Sequence, residues 1–270
     1  MTRSTPDTLY YLYGIVAADA PDPPPELVGL DGQPVRLLRE GSVAAPVSEL
    51  PRAEYGDEPL DARLADLGWV GERGMAHEQV LDWFAERGPL VPLSLFSLHS
   101  DERRVRTRLR AEEERVLALL ESLRGRREWQ VKLWRRDANV AEHLEELSPT
   151  LKALAAEIAV APPGKRYLLE KKRDAMRADE LRQIAERVAH LLFETLREES
   201  ELAVVIPAPR GAPQTGRVLT LDTAWLVADG AFAGFQRRLG EVAGEFQPHG
   251  FEFEFTGPWP PYHFTDPDAS

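Results

Sequence analysis

The stretch Phe251-Glu252-Phe253-Glu254-Phe255-Thr256-Gly257-Pro258-Trp259-Pro260-Pro261-Tyr262-His263-Phe264 decides how the end of the chain is built. Its first half alternates, with Phe251, Phe253 and Phe255 on one side and Glu252 and Glu254 on the other. That is the period-two pattern of a β-strand with one buried and one wet face. The second half contains Pro258, Pro260 and Pro261, which lack a backbone donor and fix φ, so it is expected to leave the ladder. The picture is a last core strand running out into a stiff arm rich in aromatic side chains. Such an arm lies back over the molecule or meets a partner, and it suggests contact rather than chemistry.

Working back from this strand, residues 229–246 carry Phe232, Phe235, Leu239, Val242 and Phe246 at helical spacing, with Asp229 as the expected cap. Two apolar runs before it, 203–206 and 218–228, read as strands. Lys165 to about Glu199 is one long helical pattern, about 50 Å at 1.5 Å per residue. Asp137 onward is also helical, broken or kinked at Pro149, and Glu128–Arg135 alternates as a strand. From Glu128 the order is therefore strand, helices, strand, strand, helix, strand, a ferredoxin-like pattern with an enlarged helical crossover. It is expected to occupy residues 125–255, with 256–270 as the aromatic and proline arm.

Residues 1–124 read as a separate α+β domain, which makes the fold class α+β with two domains. Leu9–Ala17 is expected to be one buried strand, and Val35–Leu38 with Val43–Val47 a hairpin turning at Gly41, Pro46 marking an edge or an early end. Pro51–Pro59 is polar and turn-rich. Leu60–Phe84 suggests two helices broken between Gly68 and Gly74, and Leu90–Leu98 a strand crossing the core. Ser100 is the expected cap of a helix reaching Leu123, with Val105, Leu109, Val116, Leu119, Leu120 and Leu123 on its apolar face.

Composition narrows the function classes. The chain has 270 residues, 43% of them hydrophobic and 29% charged, which supports a packed core. A net charge of −12 argues against a general nucleic-acid or anionic-membrane binder. The absence of cysteine removes disulfides, thiolate metal sites and cysteine nucleophiles, and fits a reducing cytoplasm. The first residues lack a signal-peptide pattern, and no apolar run reaches the length of a membrane span.

Motifs of catalysis are scarce. Neither glycine-rich phosphate loop occurs between a strand and a helix, and there is no nucleophile elbow. His77-Glu78 resembles the start of a zinc-protease motif, but Leu81 stands where the second histidine belongs, so a helix-surface histidine is the better reading. No two of the six histidines stand at metal-ligand spacing, and no catalytic residue, cofactor or metal site is nominated. The glutamate runs at 112–114, 145–146 and 198–199 read as solvated helix faces with i,i+4 partners.

Two basic stretches stand out from the acidic whole. Residues 103–136 hold twelve Lys/Arg against five Asp/Glu. RNA binding on a ferredoxin-like sheet is one alternative, but no segment resembles the glycine- and aromatic-rich strand such sheets use. Docking of the positive helix on an acidic partner, or on the chain's own acidic surface, is favoured. The second stretch includes Lys165, Arg166, Lys171, Lys172 and Arg173. It reads either as a helix whose Tyr167, Leu168 and Leu169 pack while the cations reach to solvent, or as a basic ridge facing a partner.

Several segments together resemble the GvpL/GvpF family of gas vesicle proteins. They are Tyr11–Val16, His77-Glu78 with Val80, Pro89–Leu93, Glu128–Trp134, Gly164–Lys172, Thr223–Val227 and the closing Thr256–Tyr262 with Phe264. The order is right and nearly the whole chain is covered. Relatives often have Arg-Phe-Gly-Thr where Ser94-Leu95-Phe96-Ser97 stands, so no role of that arginine carries over. The resemblance implies two α+β domains, the second a modified ferredoxin-like one. It also implies a non-enzymatic accessory protein, assembly or minor structural, that contacts the small hydrophobic shell protein GvpA and other accessory Gvp proteins, located in the cytoplasm at the gas vesicle. Alternatives are RNA binding and an enzyme using a cleft between domains. Within this reading, Pro258, Trp259, Pro260, Pro261 and Tyr262 form either an interface or an internal strap across the domain boundary.

Overall fold

The computed structural model describes residues 7–207 and 216–265. The chain divides into two compact units. One holds the residues up to Arg127 together with those from Trp259 on, and the other spans Glu128–Pro258.

In the first unit, the strands are β1 (Thr8–Leu12), β2 (Gly14–Ala17), β3 (Arg36–Glu40), β4 (Val43–Pro51), β5 (Leu90–Pro92) and β6 (Leu98–His99). They form one sheet in the order β5-β2-β4-β1-β6, with β3 on β4. Where one strand was expected over Leu9–Ala17, two occur, broken at Tyr13, and both pair antiparallel with β4. The break explains how β4 tolerates Pro46 in mid-strand, where an edge or an end was expected. The Pro46 carbonyl accepts from the Tyr13 amide at 3.1 Å, while the Tyr13 carbonyl turns to Leu93. The missing Pro46 donor thus faces a carbonyl that already has a partner.

The helices of this unit are α1 (Arg52–Tyr55), α2 (Asp57–Arg63), α3 (Leu67–Ala85) and α4 (Glu102–Leu123). The polar 51–59 region is thus partly helical. The expected break at Gly68–Gly74 lies earlier instead: α3 starts after Asp66, whose carboxylate accepts from the Gly68 and Trp69 amides, and runs unbroken through three glycines. A side-chain cap fixes the start, and the buried Val80, Leu81 and Phe84 hold the helix to the sheet through tertiary packing. The 90–98 region is two short strands joined by a turn with Phe96 at φ 65°. Asp101, rather than Ser100, caps α4 by accepting from the Arg104 amide at 2.9 Å, and Ser100 donates to Asp101.

One face of the sheet presents Leu9, Tyr11, Tyr13, Ala44 and Leu50 to Val80, Leu81 and Phe84 of α3. Val43, Ala45 and Val47 are buried on the alternate positions of β4, and α4 packs across β2 to β6. The strict alternation of β4 is what lets helices cover both faces.

The second unit has the sheet order β10-β7-β9-β8, from β7 (Arg126–Arg135), β8 (Leu202–Val205), β9 (Val218–Ala228) and β10 (Phe251–Trp259). Counted along the unit, the order is fourth, first, third, second. The crossover between its first two strands contains α5 (Asp137–Glu142), α6 (Leu144–Leu147), α7 (Pro149–Val160) and the unbroken α8 (Pro163–Arg197). Pro149 starts α7 at its first turn, with Ser148 as N-cap, so the proline begins a helix here rather than kinking one. Helix α9 (Phe232–Phe246) lies before β10; Ala231, not Asp229, takes its cap position and supplies no capping side chain.

The core joins Val131 and Leu133 of β7, Trp225 and Val227 of β9 and Phe251 of β10 to Ile184, Val188, Leu192 and Leu196 of α8 and Phe235, Leu239 and Val242 of α9. Phe253 and Phe255 are half-buried against it. Strand β10 continues through Pro258 to Trp259, beyond the end expected from its prolines. As the edge strand it has one side without a ladder partner, where a proline costs no hydrogen bond.

Candidate contact surfaces

The closing arm packs on the first unit. The Tyr262 hydroxyl donates to Glu78 Oε1 on α3 at 2.7 Å, and Arg115 of α4 donates to the Thr265 carbonyl at 3.5 Å. Pro260 and Phe264 are buried. Burial, and then the Glu78 carboxylate, push the Tyr262 phenol above its usual range. Burial likewise raises the Glu78 carboxyl, against the opposing pull of Tyr262. Trp259 differs: it is 45% exposed and lines an open groove of about 670 Å³ with Leu27, Met75 and Trp83, rimmed by Glu78, Asp82 and Glu86. Of the five arm residues singled out, Pro260 and Tyr262 hold the arm down, Pro261 is half-buried, and Pro258 and Trp259 stay open to solvent.

The basic ridge lies at the start of α8. Lys165 pairs with Glu157 of α7 at 2.7 Å, Arg166 donates to the Ala161 carbonyl, and Lys171 stands over the Tyr167 ring at 5.9 Å. Arg173 is half-buried beside Glu145 and Asp174. Lys172 is exposed. The apolar residues among them do not pack as a buried helix face requires: Tyr167 is 60% exposed, Leu168 67%, and Val160, at the end of α7, 84%. Leu169 is half-buried. Large apolar side chains exposed together on one surface make it a candidate contact surface.

The longer basic stretch is largely matched by the chain's own acids. Arg106 and Arg110 converge on Glu40, Arg108 and Arg115 on Glu112, Arg136 on Glu252 and Lys132 on Asp222. These pairs leave little of its charge for a polyanion.

His77 is not on a helix surface. It lies on the inward stripe of α3 with Val80, Leu81 and Phe84, one and two turns apart, and is 2% exposed. The Tyr11 hydroxyl meets its Nδ1 at 2.6 Å, and the Phe96 amide donates to the same hydroxyl at 3.4 Å. The Tyr13 ring stacks on His77, and its hydroxyl donates to Ser48, which donates to the Pro34 carbonyl. Burial pushes the His77 pKa down to about 4, more than the Leu93 backbone raises it. Burial drives Tyr11 above its usual range. A neutral imidazole among phenols that keep their protons ties the sheet to α3.

Spacing along the chain hid one cluster. His143, between α5 and α6, Glu146 of α6 and His249, in the turn after α9, bring one ligand atom each to within 4.8 Å of one another. In the sequence only the His143-x-x-Glu146 half of it stands at close spacing.

A family model described as gas vesicle synthesis protein GvpL/GvpF matches residues 9–266. The chain is 31% identical over 260 residues to gas vesicle protein L of Streptomyces sp. (strain CB03234), covering 96% of this chain and 93% of that protein. It is 27% identical over 262 residues to gas vesicle protein F of the same organism, covering 95% and 99%. Among solved structures it resembles GvpF from Anabaena sp. PCC7120, with TM-score 0.68, 20% identity and 96% and 98% coverage. It also resembles GvpF from Microcystis aeruginosa, with TM-score 0.63, 17% identity and 97% and 100% coverage. At these identities the structural likeness speaks for the fold.

Proposed function

The chain belongs to the GvpL/GvpF family of gas vesicle synthesis proteins and takes part in gas vesicle formation, and from that premise we propose that it works as a non-enzymatic accessory protein through protein–protein contact. Its partners in this reading are the hydrophobic shell protein GvpA and other accessory Gvp proteins, and its place is at the cytoplasmic gas vesicle. No helix among the described residues is long and apolar enough to cross a membrane. We class the second unit as a modified ferredoxin-like domain, supported by its fourth-first-third-second strand order and its helical crossover.

The observation that carries the contact reading is the ridge formed by Val160, Tyr167 and Leu168 among Lys165, Arg166, Lys171 and Lys172. A monomer gains nothing by exposing these apolar groups, whereas a hydrophobic partner with acidic flanks would bury them and match the cations. The test is co-purification of the full chain with GvpA and, separately, with each accessory Gvp protein, using Tyr167→Ser/Leu168→Ser. The double variant is expected to keep its unfolding midpoint and lose at least one of these partners. Retention of every partner at wild-type level would overturn the assignment of the ridge.

A further inference from the structure

We infer that His143, Glu146 and His249 form a binding site for Zn²⁺ or a closely similar divalent transition ion. His143 Nδ1 lies 3.2 Å from Glu146 Oε2, and His249 Nε2 lies 3.6 Å from the same oxygen. Around a tetrahedral zinc with ligand bonds near 2.0–2.1 Å, ligand atoms stand about 3.4 Å apart. These two edges straddle that spacing, and the third, between His143 and His249, lies within 4.8 Å, so an ion can enter once the two rings close on it. The two imidazoles meet edge to face, with ring centres 5.2 Å apart.

The hydrogen bond behind His249 sets which of its nitrogens faces the cluster. His249 Nδ1 faces the Glu245 carbonyl at 3.0 Å. A carbonyl cannot donate, so Nδ1 carries the hydrogen, and in the neutral ring the Nε2 lone pair points towards the carboxylate. Two electron-rich atoms then confront each other, a repulsion that a bound cation or an added proton removes. Metal-ligating histidines commonly have this backbone-anchored second nitrogen.

The backbone holds the three residues in place. The His143 carbonyl accepts from the Glu146 and Leu147 amides at 3.0 and 3.1 Å, which starts α6 and puts Glu146 one turn from His143. Gly250, at φ 91°, turns the chain after His249, and its carbonyl accepts from the Arg136 amide at 2.9 Å. A Cβ on Gly250 would come within 2.8 Å of the Val140 backbone nitrogen, so glycine lets the turn sit against α5 and brings His249 to His143. Two imidazoles and one carboxylate favour zinc, copper or nickel over the oxygen-seeking magnesium and calcium. Three protein ligands leave a fourth position for water or a partner's side chain, and Glu146, 68% exposed, keeps that side open.

The experiment titrates Zn²⁺ into the chelator-treated full chain against a zinc-responsive dye, and records the visible spectrum with Co²⁺. One equivalent per chain is expected to bind in the micromolar range or tighter, with Co²⁺ giving the intense visible bands of a low-coordinate nitrogen-ligated ion. His143→Ala and His249→Ala are each expected to weaken binding by at least about tenfold. Glu146→Gln, a substitution at an exposed position that leaves packing alone, is expected to weaken it as well. His99→Gln, outside the cluster, should bind as the wild type does. Equal affinity in wild type, the histidine variants and Glu146→Gln would overturn the site, as would no binding below millimolar Zn²⁺, which would leave a proton as what relieves the His249–Glu146 contact.

Discussion

Replacing His77 with asparagine removes a titratable group from the core of the first unit without putting a charge in its place. In the folded chain His77 is buried with its pKa at about 4, against 6.5 for an ordinary histidine. A second proton would put a charge on a ring buried in the core, so the folded state resists protonation. The unfolded chain does not, and between the two pKa values it binds more protons than the folded one. The stabilisation from keeping His77 neutral is therefore fully present above about pH 6.5 and is lost as the pH falls towards 4. Integrated over that window, it amounts to about 2 kcal/mol lost between pH 7 and pH 5, and about 3 kcal/mol by pH 4. The asparagine variant starts less stable at pH 7, because it gives up ring packing, but it lacks this slope. Hydrogen exchange of the Val80 and Leu81 amides, measured in urea at pH 5 to 7, isolates opening of the unit that holds His77. The difference between wild type and variant should shrink by about 2 kcal/mol on going from pH 7 to pH 5. An NMR titration of the His77 ring should place its midpoint near 4. A difference that is constant over the range, or a midpoint near 6.5, refutes the argument.

Four further changes probe other parts of the molecule. Ser148 is fully buried, accepts from the Leu151 amide at 3.0 Å as the N-cap of α7, and donates to the buried Glu180 at 2.6 Å. Ser148→Ala should cost about 2–4 kcal/mol, a lost cap together with an unsatisfied carboxylate, read by denaturant unfolding of the second unit. Tyr262→Phe removes the bond to Glu78 from a partly exposed tyrosine and should cost about 1 kcal/mol in the first unit. Trp259→Ala truncates a half-exposed ring and should cost less than Phe264→Ala, which empties a buried position at the same end of the arm.

The parts of the fold that could be read in advance are those where local pattern and tertiary packing agree. The Phe251–Phe255 alternation, the hairpin at Gly41 and the long stripe of α8 each state their period in adjacent residues, and each element is present. The errors cluster where a distant partner overrides a local signal. Pro46 looks like the end of a strand until the break at Tyr13, brought alongside by the fold, supplies a place for its missing donor. Gly68, Gly71 and Gly74 look like a helix break, but packing of Val80, Leu81 and Phe84 on the sheet outweighs their propensity cost of about 1 kcal/mol each. His77 looks like a surface residue for the same reason. Its spacing to Val80, Leu81 and Phe84 was available and marks the buried stripe, yet histidine's polarity argued the other way until Tyr11 gave it a partner.

The surfaces were legible in a different measure. Charge runs along the chain show where cations are, but not whether acids far away in sequence neutralise them. Arg106 and Arg110 are matched by Glu40 across the sheet, whereas the cations at the start of α8 share their surface with exposed Tyr167 and Leu168. The histidine cluster marks the limit of spacing rules. His143 and Glu146 stand at i,i+3, the spacing that sets two side chains on one helical face and often supplies half of a metal site. The other half comes from His249, far along the chain. It arrives only because β10 is placed beside β7, so that the turn before β10 lands on the helix after β7. Gly250 then allows the close approach, which makes that glycine as much a part of the cluster's geometry as the ligands themselves. A search for pairs of histidines close in sequence cannot find such a site. A search for half-sites at the ends of elements that the topology makes neighbours can, and here it reduces six histidines to two.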